Sequence, residues 1–108
     1  MRAAIVSDVH GGLGRALSAL FAPAHAELCR SSQRGWASVT FCGARHRYAL
    51  RVSGEKAGQA VDRAIDTLSA QDFAIEGHVV ADIALVERQV RARDLIELEL
   101  EALTVEAN

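Results

Sequence analysis

The chain has 108 residues, 12 basic and 14 acidic side chains and a formal net charge of −2. This is single-domain length, enough to bury roughly 65% of the unfolded surface. No apolar run approaches the ~20 residues of a membrane span, and the ordinary charge content with periodically spaced Leu, Ile, Val and Phe excludes a disordered chain. Two cysteines, Cys29 and Cys42, form no CxxC motif. They exclude a disulfide framework and read as buried, reduced thiols.

The net charge conceals an asymmetry. Residues 1–54 carry seven Arg against Asp8 and Glu27, whereas residues 55–108 carry twelve acidic residues against five basic ones. Opposed halves of this kind point to charge pairing within the chain or between subunits rather than to a polyanionic partner.

Taken in order, Arg2–Ser7 reads as a short strand, and His10-Gly11-Gly12-Leu13-Gly14 turns it into a helix. Leu13, Ala16, Leu17, Leu20, Phe21, Ala24 and Leu28 form a helical stripe. Pro23, lying inside that stripe, predicts a kink or a junction of two short helices. Ser31–Gly35 is a polar connector. Trp36–Cys42 and His46–Ser53 alternate, with Gly43-Ala44-Arg45 as the turn between them, which predicts a β-hairpin. Ser53 is a candidate N-cap for a helix with Ala57, Ala60, Val61, Ala64, Ile65 and Leu68 on its apolar face.

Phe73–Glu76 reads as extended, with a bend at Gly77. Residues 78–90 fit two patterns, since Val79, Ile83, Val86 and Val90 fall at helical spacing in a β-branched segment. The strict alternation of Ile96-Glu97-Leu98-Glu99-Leu100-Glu101 means a half-buried strand, which needs a partner. A second hairpin with residues 78–90 is therefore expected. The order β-α-β-β-α-β-β predicts an α+β domain spanning residues 1–108. It is ferredoxin-like, with two helices on one face of an antiparallel sheet and an added C-terminal strand. Such a fold carries no function with it.

Asp8-Val9-His10-Gly11 resembles the first motif of calcineurin-like metallophosphoesterases. The resemblance covers about twenty residues and implies a metal site with Asp8 and His10 as ligands, two apart in a strand and ~6.6 Å from each other. The later Gly-Asp and Gly-Asn-His motifs of that family are absent from the chain. Gly11 and Gly12 ahead of a helix could offer backbone amides to an anion, although neither of the phosphate-binding glycine signatures is matched.

His25 and Cys29 with Cys42 and His46 have zinc-like spacing, but one pair falls on the predicted helix and the other on the hairpin. His78 and Asp82 would be neighbours only on a helix, and the strand reading separates them. Arg45, Arg47 and Arg51, with Arg34 nearby, form a basic stripe suited to nucleic acid, without the alternating aromatics that RNA-binding sheets use. Arg47 and Arg51 could instead pair with Glu97, Glu99 and Glu101 across the sheet or between subunits.

No nucleophile elbow or catalytic triad order is present. The expectation is a non-enzymatic protein that self-associates as a homodimer or larger homo-oligomer, or binds a small ligand. Its candidate ligand-binding residues are Arg47, Arg51, Gly11 and Gly12. The alternatives are metal-dependent phosphoester hydrolysis through Asp8 and His10, and nucleic-acid binding through Arg45, Arg47 and Arg51. No cofactor is expected. Ala24-His25-Ala26 has the small-residue look of a signal cleavage site, but Asp8, His10 and Pro23 interrupt the leader pattern, so a cytoplasmic location is expected.

Overall fold

A computed structural model describes residues 8–107. The elements are α1 (Val9–Ala19), β1 (His25–Ala37), β2 (Cys42–Ser53), α2 (Ala57–Asp66), a 3-10 turn at Leu68–Ala70, β3 (His78–Ala92) and β4 (Leu95–Glu106). The four strands form one sheet in the order β1-β2-β4-β3, and every neighbouring pair is antiparallel. Both helices lie against one face.

The ferredoxin-like β-α-β-β-α-β-β arrangement does not form. The described chain is two hairpins, β1–β2 and β3–β4, joined through an antiparallel β2–β4 seam. The reason lies in β4, where Ile96, Leu98, Leu100, Ala102 and Thr104 are all buried. A strand with an unbroken buried row gains most from a central position under both helices. β3, exposed along its last seven residues, takes the edge. The predicted strand at Arg2–Ser7 lies outside the described residues.

The core is a single cluster. Leu13, Leu17 and Phe21 come from α1 and its following turn, Ala57, Val61 and Ala64 from α2, Tyr48, Leu50 and Val52 from β2, and the buried row from β4. The stripe of α2 occupies the positions its periodicity predicts. Its start does not, because Ser53 closes β2 and the helix begins at Ala57, with Lys56 as a cap that makes no side-chain hydrogen bond.

Two other boundaries differ. The first helix stops at Ala19, so Ala24 and Leu28 of the predicted stripe fall beyond it, Leu28 within β1. Residues 31–35, expected as a connector, lie inside that strand. The hairpin turn is residues 38–41, and Gly43-Ala44-Arg45 belongs to β2. Ser38 makes the tight turn, its hydroxyl accepting from the Phe41 amide at 3.0 Å. Phe73–Glu76 contributes only an isolated bridge, Ile75 with His78, and Gly77 turns the chain at a φ of +78°. The hairpin of residues 78–92 with 95–106 forms as the alternation predicts.

Candidate functional site

Two regions gather the chemistry-bearing residues: the start of α1 and the sheet face that the helices leave uncovered. At the first, Asp8 is not in a strand beside His10. It is the N-cap of α1, its carboxylate accepting from the Gly11 amide at 2.9 Å. The Gly12 amide donates to the Asp8 carbonyl at 2.8 Å. Both amides considered as an anion cradle are thus engaged within the helix itself. Gly11 is required by that cap, because a Cβ there would sit 2.2 Å from the Asp8 Oδ2.

His10 projects onto the sheet. Its Nδ1 is 2.9 Å from Nδ1 of His46, and its Nε2 is 3.0 Å from the Ser31 hydroxyl. Its ring stacks on Tyr48, with centroids 4.8 Å apart, and the Tyr48 hydroxyl donates to the His10 carbonyl at 2.7 Å. On the far side the His46 Nε2 is 2.9 Å from the Thr104 Oγ1, and the Thr104 hydroxyl reaches the Ala44 carbonyl at 3.4 Å.

One direction of donation satisfies every group. Ser31 donates to His10, His10 to His46, His46 to Thr104 and Thr104 to the backbone. Burial and the neighbouring His10 and His78 hold the His46 imidazole down to about 4. Burial also lowers His10, against the pull of Asp8. Burial, aided by Asp8, raises the Tyr48 phenol.

Of the residues considered as metal ligands, His10 hydrogen-bonds to the sheet through both imidazole nitrogens and Asp8 caps α1 with its carboxylate. Among the described residues no group of three or more His, Cys, Asp or Glu is placed to hold a metal ion.

The uncovered face is ordered into rows by the strand register. Arg51 of β2 lies opposite Glu97 of β4 and Arg47 opposite Glu101. Arg47 bridges Glu99 at 2.5 Å and Glu101 at 3.0 Å, and Arg51 reaches Glu97 at 3.4 Å. Glu97 also accepts from Arg91 at 2.6 Å, and these contacts, Arg91 foremost, lower its carboxyl. The pairing of Arg47 and Arg51 with these glutamates, which the alternation allows, therefore occurs within the chain.

Arg45 stands apart from them. It lies directly opposite Arg34 of β1, and neither makes an ion pair among the described residues. A like-charged pair at facing positions is unfavourable. At the end of this face nearest the 38–41 turn, Trp36, Phe41, Val79 and Val105 line an apolar hollow.

Sequence reasoning missed His46 as a structural partner of His10. A buried histidine on a core-facing strand position was the available signal, but nothing in the sequence joins it to residue 10. The remaining motif residues stay apart. Cys29 and Cys42 are both free and exposed, not buried, because β1 is an edge strand and Cys42 opens β2. His25 lies opposite Ser53 and Cys42 opposite Ala37, at opposite ends of the hairpin. His78 and Asp82 are separated along β3 with a bulge between them.

No helix among the described residues is long and apolar enough to cross a membrane. No family model matches the chain, and no curated protein does. Among solved structures, a chain of the virion of a native gene transfer agent (GTA) particle is similar in fold, with a TM-score of 0.58 and 18% identity over 99% of this chain and 100% of that one.

Proposed function

We propose that this protein is a non-enzymatic structural subunit that associates with copies of itself. The observation that carries the reading is the sheet: one face is buried under two helices, while the other face and both edge strands have no partner among the described residues. Proteins tend to cover or guard such edges, and symmetric association of identical chains is one way to cover them. Exposed Phe41, Val79 and Val90, more than half accessible, add apolar area on the hairpins.

Two further points favour assembly over catalysis or ligand capture. The polar side chains at the start of α1 are engaged in capping the helix and tying it to the sheet, and the central arginines of the open face are neutralised by glutamates. The similar fold in a virion particle fits a protein whose work is to pack against others. Sedimentation velocity or light scattering across a concentration series is the test. A mass that rises above the 11.6 kDa of one chain is expected, and a strict monomer at high concentration would sink the reading.

A further inference from the structure

Self-association leaves open which surfaces meet. The register of the sheet answers this, because each row on the uncovered face begins on edge strand β1 and ends on edge strand β3. The rows run Trp36–Gly43–Val105–Val79, Arg34–Arg45–Leu103–Asp82, Ser32–Arg47–Glu101–Ala84, Arg30–Ala49–Glu99–Glu87 and Glu27–Arg51–Glu97–Gln89. In two of the five rows the ends carry opposite charge, Arg34 with Asp82 and Arg30 with Glu87. The basic residues of β3 are already used, Arg88 on Asp62 and Arg91 on Glu97. Arg30, Arg34, Asp82 and Glu87 are exposed and make no ion pair among the described residues.

Resting on the reading of the protein as a self-associating subunit, we infer that copies join head to tail, the basic β1 margin of one against the acidic β3 margin of the next. Strands β1 and β3 run in opposite directions, so a neighbour displaced by one sheet width continues the antiparallel order and sets every row against its own continuation. Arg34 then meets Asp82 and Arg30 meets Glu87. The repulsion between Arg34 and Arg45, and that between Glu87 and the facing Glu99, is relieved by the opposite charge across the contact.

Pairing β1 with β1 would instead set arginine against arginine. Stacking the open faces would bury the Arg47 and Arg51 ion pairs, at a desolvation cost their attraction does not recover. Three bulges interrupt β3 and guard its outer hydrogen-bonding edge, so side chains rather than a continuous backbone ladder carry the contact. A heterologous contact of this kind closes into a ring or runs on as a filament.

The test uses two charge reversals at exposed positions, Arg30→Glu with Arg34→Glu, and Asp82→Arg with Glu87→Arg. Each variant, its fold checked by circular dichroism, is expected to lose the large species and sediment as a monomer. An equimolar mixture restores alternating acidic and basic margins and is expected to recover assemblies of more than two chains. A wild-type monomer overturns the self-association reading and this contact with it. A wild type that assembles while either variant assembles equally well overturns this contact alone. So does a mixture that stops at two chains, or a first variant that still assembles but loses retention on a polyanion column, which would assign the arginines to nucleic acid.

Discussion

Nδ1 of His10 lies 2.9 Å from Nδ1 of His46, so the first helix is tied to the second strand through two imidazoles that share one hydrogen. A proton added at Nδ1 of His46 breaks that bond, whereas one added at Nε2 of His10 keeps it and turns the Ser31 contact around. Its other neighbours are Ser31 and Tyr48, Thr104 on β4, Asp8 on α1 and the more distant charge of His78.

The consequence is a pH dependence of stability. His46 is lowered to about 4 in the folded protein, whereas an unfolded histidine titrates near 6.5. Between these values the unfolded chain binds the proton and the folded one does not, so stability falls as the pH drops from about 6.5 towards 4 and levels off below. A loss of order 2 kcal/mol is expected. Thermal denaturation from pH 8 to pH 4 checks it, with His46→Gln starting less stable and showing a flatter profile. An equally steep profile in that variant would assign the titration elsewhere.

Gly43 is the least replaceable residue of the hairpin. A Cβ there would stand 1.9 Å from the Thr104 carbonyl oxygen, a backbone atom of the central β2–β4 seam. Gly43→Ala must push the two strands apart and is expected to cost about 3 kcal/mol or more. Gly35→Ala on β1, where a Cβ would stand 3.8 Å from the Gly43 carbonyl oxygen, serves as the tolerated control. Chemical denaturation midpoints separate the two.

The cap at Asp8 gives a smaller effect. Asp8→Ala removes the acceptor for the Gly11 amide and is expected to cost about 1 kcal/mol, while Asp8→Asn, which keeps an acceptor oxygen, loses much less. Equal losses in the two variants would show that the carboxylate acts through its charge on His10 instead.

Cys42 and Cys29 are both exposed, yet Glu106 beside Cys42 raises its thiol above the ordinary value by accepting its hydrogen bond and by its own charge. Since the thiolate is the nucleophile, Glu106→Gln should speed alkylation of Cys42 at pH 7.5 and leave Cys29 unchanged. Mass spectrometry of partially alkylated protein gives both rates. An unaltered Cys42 rate would refute the contact.

The sequence alone determined the elements whose burial is periodic. The stripe of α2 and the alternation of Ile96 to Glu101 each need one covered face, and that requirement is written locally, at spacings of 3.6 and 2 residues. The same alternation put Glu97, Glu99 and Glu101 on one strand face and the arginines of residues 47 and 51 on another, because a covered strand must present its polar residues on its open side.

Tertiary structure decided the rest. Strand β1 reads His-Ala-Glu-Leu-Cys-Arg-Ser-Ser-Gln-Arg-Gly-Trp-Ala, with almost no buried position. It is held by backbone pairing to β2, so no hydrophobic period marks it and its first residues were absorbed into a helical stripe. The position of β4 between β2 and β3 depends on which strand buries most beneath both helices, a comparison among segments that no single segment contains. For the same reason Asp8 and His10, which as neighbours in the chain suggested a metal site, became a helix cap and a strut: residue 10 gains its meaning from His46, thirty-six positions away.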